Sequence, residues 1–321
     1  MNKKVILITG SNGEIGKSLI NKLSKNNNII ALDLCHNSKS SIKKIEGSIL
    51  DDSILNNINN KYRLSEIYHL AAVLSTKAQK NPTLSNEINY HGTIKLLELA
   101  RLQTKKYNQP IKFFFPSSIA VYNMLNSDLN NNINEKDKIN NPITHYGKAK
   151  LNCEKIGVKK YLNEGIDFRC IRFPGIISAI SKPTGGTSDY APEMIHAAFL
   201  NEKYNCFVNN KTILPFIAMP DAITAIIKLM NSSKENIKSR VYNVTSFSPS
   251  VNDLEFKIKE FFPNFKLSYD IDNNRQKIVD SWPNFINDSL AKKEWNWSCD
   301  FNFDNFFINY INPNLKEYYK K

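Results

Sequence analysis

Short apolar runs alternate with amphipathic stretches through the first half of the chain. Residues 5–8 form an unbroken apolar run, and the stretch after it places Ile15, Leu19 and Leu23 on one helical face. The same alternation predicts strands at 5–9, 29–33, 42–46, 65–70, 111–116 and 167–173, with helices at 14–25, 84–102 and 144–162. Strands that alternate with helices indicate an α/β protein with a doubly wound parallel sheet, covered on both faces.

The second half of the chain is less regular. Its clearest elements are a helix at 222–230, for which Asp221 is the expected N-cap, and a strand at 241–244. We therefore expect a sheet domain in residues 1–173, with its sheet completed by about 215–245, and a smaller lobe in residues 174–321. The Asn- and Asp-rich segment 123–141 is expected to be a surface loop, and a role at the mouth of a site stays open.

Charge and hydropathy exclude several classes of protein. Lys and Arg number 43 against 30 Asp and Glu, a net charge of +13, but the lysines are spread along the chain, so no nucleic-acid partner is expected. The positive field would still attract an anionic ligand. No apolar run of about 18 residues exists, so no membrane partner is expected. With no targeting segment before the first strand, we expect a cytoplasmic protein, and a processed organellar form fits the same sequence.

Cysteine and histidine spacing argues against a metal. None of the five cysteines is spaced Cys-x-x-Cys, and the five histidines show no ligand spacing with them. The odd count of cysteines also argues against a disulfide framework. We expect no metal and a mechanism that does not need one.

A glycine-rich loop connects the first predicted strand to the first helix. Gly10, Gly13 and Gly16 have the spacing Gly-x-x-Gly-x-x-Gly, one residue longer than the commonest dinucleotide fingerprint. The glycines permit a tight turn, backbone approach to a pyrophosphate and close packing of the helix, whose N-terminus favours an anion. Asp33 ends the next strand, where a carboxylate binds the adenosine ribose and repels a 2′-phosphate. These features predict a Rossmann-like domain that binds NAD rather than NADP.

A tyrosine and a lysine four residues apart supply candidate chemistry. Tyr146 and Lys150 share one helical face, and the nearby ammonium would favour the phenolate over the phenol. Ser118 closes the preceding strand, where ligands bind in open α/β sheets, and Ser117 is the alternative hydroxyl. We expect Tyr146 to be a general base, Lys150 to lower its pKa, and Ser118 to hold the reacting oxygen.

The glycine loop, Asp33, Ser118, Tyr146 and Lys150 together resemble an extended short-chain dehydrogenase/reductase. Leu70-Ala71-Ala72 after the fourth strand, Asn89 with Gly92-Thr93, and the Arg-Phe-Pro-Gly turn at 172–175 fit that group. Ten short segments of the second half narrow the resemblance to the short-chain type of L-threonine 3-dehydrogenase. These segments are 172–178, 182–183, 185–191, 214–215, 219–221, 242–245, 275–276, 280–283, 288–289 and 295–297. Ser48 departs from the group, which often has an aspartate there near the adenine.

The resemblance implies a reaction and a set of contacts. The reaction is oxidation of the L-threonine β-hydroxyl to L-2-amino-3-oxobutanoate, with hydride transfer to NAD. The implied cofactor contacts are Gly10, Asn12, Gly13, Glu14, Ile15, Gly16, Asp33, Leu34, Ile49, Leu70, Ala71, Ala72, Asn89, Tyr146, Lys150, Pro174 and Ile176. The implied substrate contacts are Ser75, Ser118, Tyr146, Gly186, Thr187 and Trp282. It also implies a homodimer that associates through the helices around 84–102 and 144–162, and a substrate-binding role for most of residues 174–321.

Two other functions remain open at this point. A sugar-nucleotide epimerase or dehydratase on the same scaffold would retain NAD tightly, but the Gly-Gly-Thr-Ser-Asp-Tyr segment at 185–190 suits a small amino acid better. A non-catalytic, dinucleotide-sensing protein would usually lack the tyrosine or the lysine, and both are present.

Overall fold

The computed structural model describes residues 5–36, 42–124, 132–137, 141–183 and 185–320. Its strands are β1 Val5–Thr9, β2 Asn28–Asp33, β3 Lys43–Glu46, β4 Glu66–His69, β5 Lys112–Ser118, β6 Asn132–Ile133, β7 Asp167–Phe173, β8 Gly175–Ile177, β9 Lys203–Cys206, β10 Phe216–Ala218, β11 Val241–Asn243, β12 Lys266–Tyr269 and β13 Phe285–Ile286. Its α-helices are α1 Glu14–Leu23, α2 Asp52–Lys61, α3 Ser75–Lys80, α4 Pro82–Ser85, α5 Gly92–Tyr107, α6 His145–Ile156, α7 Tyr190–Phe199, α8 Met219–Asn231, α9 Val251–Phe261, α10 Asn273–Asp280, α11 Ser289–Trp295, α12 Phe303–Phe306 and α13 Asn312–Tyr318. A 3₁₀ turn covers Ile119–Val121, and π-helical turns cover Asn86–His91, Gly157–Tyr161 and Phe307–Ile311.

Seven strands form one sheet in the order β3-β2-β1-β4-β5-β7-β11. The pairs β1–β2, β2–β3, β1–β4 and β4–β5 are parallel. The chain moves outward from β1 to β3 and then returns to place β4 on the other side of β1, so the carboxyl ends of β1 and β4 lie side by side. A ligand crevice opens at such a reversal of strand order. The predicted Rossmann-like fold is confirmed.

Hydrophobic pattern explains most of this sheet. All seven residues of β7 and all four of β4 are buried, as expected for central strands covered on both faces. Helix α2 was not predicted, because only Ile54, Leu55 and Ile58 break its run of polar residues. Its N-terminus is nevertheless well formed, since the Asp51 carboxylate accepts hydrogen bonds from the N–H groups of Ser53 and Ile54.

The chain divides into two compact units. The sheet unit comprises Met1–Ser118, His145–Arg172 and Ile226–Tyr242, and the second unit comprises Ile119–Thr144, Phe173–Ala225 and Asn243–Lys321. The second unit contains three two-stranded sheets, β8–β10, β9–β12 and β6–β13. Its apolar core includes the buried aromatic rings of Tyr190, Phe216, Phe306 and Phe307.

The sheet unit buries a pair of ionic contacts along β7. Asp167 lies between Arg169, at 2.6 Å, and Arg240, at 2.8 Å. Arg169 is fully buried and also donates to the carbonyl of Ser232, at 2.8 Å, just beyond the end of α8. Each carboxylate oxygen of Asp167 therefore has a cationic partner, as a buried charge requires.

Two expectations for the second unit are corrected. The segment 123–141 is not wholly a surface loop: much of it lies outside the described residues, but Ile133 pairs with Ile286 and is buried, and the Glu135 carboxylate accepts a hydrogen bond from the Asn243 N–H at 2.7 Å. Asp221 is not an N-cap, because α8 already begins at Met219. Its carboxylate instead accepts from the N–H groups of Asp300 and Phe301, which a local pattern cannot reveal.

Candidate active site

The glycine loop turns sharply at the end of β1. Gly10 has a φ of +66°, and a Cβ atom there would come within 2.5 Å of the Ala71 nitrogen. A Cβ on Gly16 would lie 2.4 Å from the Gly10 carbonyl oxygen. Gly13 is the N-cap of α1, so no side chain caps the helix N-terminus. The helix that continues through Glu14 and Ile15 thus presents an uncapped N-terminus, which suits an anionic group such as a pyrophosphate.

Asp33 is held rigidly at the end of β2. Its carboxylate accepts from the Asn12 N–H at 2.7 Å and from the Leu34 N–H at 2.8 Å. Each oxygen keeps a lone pair that could accept from a ribose hydroxyl. The Leu34 side chain is 69% exposed beside it.

A buried hydroxyl in the loop supports the same ligand. Ser11 is 2% exposed, and its Oγ has no hydrogen-bond partner. An unpartnered buried hydroxyl is unfavourable unless a ligand satisfies it. With the loop glycines and Asp33, it fits a dinucleotide. Ile49 is buried, and its Cδ1 lies 2.5 Å from the position that a Cβ on Gly92 would take, so it packs in the core of the sheet unit. Ser48 accepts a hydrogen bond from the Leu50 N–H.

The segment after β4 borders the glycine loop. The Leu70 N–H donates to the Thr9 carbonyl at 3.0 Å, and Ala71 and Ala72 follow, partly exposed. Asn89, predicted to contact the cofactor, has a side chain that holds this segment: Oδ1 accepts from the Val73 N–H at 2.7 Å and Nδ2 donates to the Val73 carbonyl at 2.9 Å. Asn89 lies in the π-helical turn Asn86–His91, a local irregularity often found at functional sites. Its observed role is to position the loop.

A buried hydrogen-bond chain supports the same segment. His69 Nδ1 is 2.9 Å from Thr9 Oγ1, and Nε2 is 2.8 Å from Thr93 Oγ1. Thr93 donates its only hydroxyl hydrogen to the Asn89 carbonyl, so His69 Nε2 is the donor to Thr93 and Nδ1 accepts from Thr9. Burial, together with the charge of Lys150, lowers the pKa of His69 to about 3, so the imidazole is neutral. Sequence reasoning missed His69, whose signal is a lone polar residue at the end of an apolar strand.

Tyr146 and Lys150 lie on one face of α6, as predicted. Lys150 is 4% exposed, and its Nζ donates to the Pro116 carbonyl at 2.7 Å, near the end of β5. Nζ lies 5.5 Å from the centroid of the Tyr146 ring and 4.6 Å from that of Phe115. The lysine is therefore tied to the strand that carries Ser118.

The pKa of the tyrosine moves in the opposite direction to the one expected. Burial raises the pKa of Tyr146 to about 12 and lowers that of Lys150 to about 8. The reason is that desolvation disfavours the charged form of both groups, while Lys150 directs a hydrogen bond at a carbonyl. A phenolate at Tyr146 therefore needs further positive charge beside it.

The two serines at the end of β5 differ in burial. Ser117 is 3% exposed and its Oγ has no hydrogen-bond partner, whereas Ser118, the last residue of the strand, is partly exposed. A substrate can reach the partly exposed Ser118 more readily than the buried Ser117, which keeps Ser118 ahead of Ser117. Ser75, also predicted as a substrate contact, is the partly exposed first residue of α3.

The remaining predicted contacts belong to the second unit. Pro174 is buried and Ile176 is partly buried in β8, which pairs with β10. Thr187 is 3% exposed and Trp282 is 5% exposed. Gly186 donates its N–H to Asp189 Oδ2 at 2.6 Å and accepts at its carbonyl from Arg275 Nη2 at 2.9 Å. Arg275 was not assigned a role from the sequence.

The described residues offer neither a metal-binding cluster nor a membrane-spanning helix. They contain no group of three or more His, Cys, Asp or Glu side chains that could hold a metal ion. Among them, no helix is both long and apolar enough to cross a membrane.

Comparison with known proteins yields one consistent family. The model of the NAD dependent epimerase/dehydratase family matches residues 6–245. The mitochondrial L-threonine 3-dehydrogenase of Sus scrofa is 32% identical over 317 residues, covering 97% of this chain and 83% of the relative. A solved monomeric L-threonine 3-dehydrogenase from a metagenome is 38% identical with a TM-score of 0.88, covering 98% of this chain and 99% of that one. The L-threonine dehydrogenase of Clostridium difficile is 32% identical with a TM-score of 0.89, covering 99% of both chains.

Proposed function

This chain belongs to the NAD dependent epimerase/dehydratase family, and from that premise we propose that it oxidises the β-hydroxyl of L-threonine with NAD to give L-2-amino-3-oxobutanoate. The observation that carries the proposal is that relatives matching nearly the whole chain, substrate-side segments included, are L-threonine 3-dehydrogenases. The nicotinamide cofactor follows from the family. The choice of NAD over NADP rests on Asp33, whose carboxylate would repel a 2′-phosphate.

Each candidate residue has a distinct role in cofactor binding or in the transfer of the hydroxyl proton. The backbone of the glycine loop and the N-terminus of α1 would bind the pyrophosphate, and Asp33 the adenosine ribose. The oxidised nicotinamide, when bound there, would supply the hydride acceptor and additional positive charge. Tyr146, as phenolate, takes the hydroxyl proton at Oη; Lys150 holds the nicotinamide ribose and favours the phenolate; Ser118 donates to the reacting oxygen. Because burial raises the pKa of Tyr146 to about 12, its deprotonation depends on these neighbouring cations.

The amino-acid end of the substrate needs partners of its own. We assign it to Ser75 in the sheet unit and to Gly186, Thr187 and Trp282 in the second unit, with Pro174 and Ile176 on the nicotinamide side. Buried Thr187 offers a hydroxyl, and Trp282 offers an apolar surface for the methyl group.

The test is NADH formation, followed by its near-ultraviolet absorbance, with purified protein, NAD and L-threonine. L-Serine, L-allo-threonine and NADP are run in parallel. We expect NADH only with NAD, and the highest rate with L-threonine. No signal from protein that still binds NAD would reject the substrate and direct the search to sugar nucleotides.

The homodimer is a separate proposal. We propose that two copies associate through α5 and α6. Lys148 and Lys155 in α6 and Lys159 in the π-helical turn that follows it are all exposed, so like charges would meet and association should strengthen with salt. Light scattering at low and high ionic strength measures this; a monomer at both would reject the dimer.

Location in the cell is the last of these proposals. We propose the cytoplasm, and the similar relative of Sus scrofa is a mitochondrial protein. Fractionation of the source cells distinguishes the two compartments.

A further inference from the structure

The turn 185–187 in the second unit is held from one side by a carboxylate. Asp189 Oδ2 accepts from the N–H groups of both Gly185, at 2.9 Å, and Gly186, at 2.6 Å. A Cβ on Gly186 would lie 2.5 Å from Asp189 Oδ1. The backbone N–H groups of the two glycines are therefore already used, and they are not available to bind an anionic substrate group.

Arg275 holds the same turn from the other side. Its Nη2 donates to the Gly186 carbonyl at 2.9 Å, and its guanidinium carbon lies 3.2 Å from the centroid of the Phe207 ring. The Nε atom is buried and has no hydrogen-bond acceptor. Within the described residues, Arg275 forms no ion pair.

The acidic groups around Arg275 are engaged elsewhere. Glu193 accepts a hydrogen bond from the Tyr204 hydroxyl, and burial raises the pKa of this carboxyl. Asp189 directs one carboxylate oxygen at the turn. A cationic N–H that is buried without an acceptor is costly, and a bound anion is the group that relieves it.

The substrate requires such a cation. An amino acid brings one carboxylate, yet Ser75, Gly186, Thr187 and Trp282 are all uncharged. We propose that Arg275 is a specificity-determining residue for the substrate carboxylate: its guanidinium fixes the Gly186 carbonyl and presents Nε–H and its charge to an anion bound at the turn 185–187. This inference rests on the proposed function, because it takes the ligand to be an amino acid.

The experiment compares L-threonine with L-threonine amide, which lacks the carboxylate. Wild type, Arg275→Gln and Arg275→Lys are assayed with NAD for kcat and KM, and binding of both ligands to the NADH complex, where no oxidation occurs, is measured by calorimetry. Arg63→Gln is the matched control, because Arg63 is exposed in the sheet unit, also stacks on an aromatic ring and loses the same charge. The NADH dissociation constant and Tm of each variant report on folding.

We expect wild type and Arg63→Gln to prefer L-threonine over the amide. Arg275→Gln should raise the KM for L-threonine at least about tenfold, leave kcat and NADH binding near wild type, and remove most of the preference over the amide. Arg275→Lys should keep part of that preference, because it keeps the charge but not the planar fork.

The assignment is overturned if Arg275→Gln weakens both ligands equally, since Arg275 would then act only by holding the turn. Retention of the full preference overturns it as well. Failure of wild type to oxidise or bind L-threonine is a different outcome: it rejects the proposed function, and the carboxylate assignment falls with it.

Discussion

Buried charge is handled differently in the two units. In the sheet unit, Asp167 contacts both Arg169 and Arg240, and Arg172 contacts Glu154 at 2.7 Å, with all five side chains largely buried. In the second unit, Arg275 buries its Nε without an acceptor, and the Tyr190 hydroxyl is buried without a partner. In the sheet unit the unpartnered hydroxyls of Ser11 and Ser117 lie at the glycine loop and at the end of β5. Paired charges thus mark the scaffold of the sheet unit, whereas Ser11 and Arg275 are unpartnered polar groups at places where a ligand is expected.

The largest effect concerns the one group in the sheet unit expected to exchange a proton with substrate. Tyr146→Phe should lower kcat about 10³-fold or more, because it removes the general base, while NADH binding stays near wild type. Tyr68→Phe is the control: it also removes a buried hydroxyl from the sheet unit, one that donates to Glu66 at 2.9 Å, and should leave turnover largely intact. Steady-state kinetics decide, and near-normal turnover by Tyr146→Phe would reject the mechanism.

The next effect tests the paired charges. Asp167→Asn leaves two buried arginines without their carboxylate and should lower the free energy of unfolding by about 3–5 kcal/mol. Asp189→Ala in the second unit removes only the acceptor of two glycine N–H groups and should cost about 1–3 kcal/mol. Urea denaturation followed by circular dichroism measures both. Equal losses would contradict the contrast between the units.

Backbone contact at the glycine loop gives a third test. Gly10→Ala places a methyl group against the Ala71 backbone in addition to the strain of a positive φ. We expect NADH affinity to fall at least about tenfold, a loss of about 1.4 kcal/mol or more, because the loop must shift. Fluorescence titration with NADH checks this; unchanged affinity would mean that the loop does not contact the cofactor.

His69 makes the sheet unit sensitive to acid. Its pKa is lowered to about 3 in the folded protein, so below its ordinary pKa of 6.5 the unfolded chain binds a proton that the folded chain does not. Stability should therefore fall as the pH falls from about 6.5 towards 3, by up to about 1.4 kcal/mol per pH unit. His69→Gln keeps an N–H donor for Thr93 but does not titrate, so its stability should decline less steeply between those pH values.

The control for that slope is His196 in the second unit, whose pKa burial also lowers. His196→Gln should also make stability decline less steeply as the pH falls, and because His196 lies in the second unit, NADH binding should stay unchanged. Equal slopes for wild type and His69→Gln, measured by denaturation across this pH range, would show that the imidazole is not held neutral.

The smallest effect is expected at Gly185, the glycine of the second unit that corresponds to Gly10 in having a positive φ. Gly185 has a φ of +95°, but a Cβ there would meet no atom within 4 Å. Gly185→Ala should therefore cost only the backbone strain, about 1–2 kcal/mol. Thermal denaturation of both variants measures this. A loss of stability clearly larger for Gly185→Ala than for Gly10→Ala would show that backbone strain, not contact, governs both glycines.

The sequence predicted the sheet unit better than the second unit, for a physical reason. Apart from the edge strand β3, the strands of the large sheet are mostly buried runs whose neighbours follow in a regular order, so local pattern carries the topology. In the second unit, β8 pairs with β10 and β9 with β12 across long separations, and Asp221 bonds to residues near position 300. Such pairings leave no local signal.

The sequence by itself determined the cofactor fingerprint, the spacing that places Tyr146 and Lys150 on one helical face, and the resemblance that led to L-threonine. These are short-range features, fixed by helix periodicity and strand order. Only the tertiary structure decided that Asn89 holds a loop, that His69 is a neutral link between β1 and the long helix, and that Arg275 meets Gly186. Those roles depend on which distant groups meet in a buried environment, where desolvation and hydrogen bonding fix charge and tautomer.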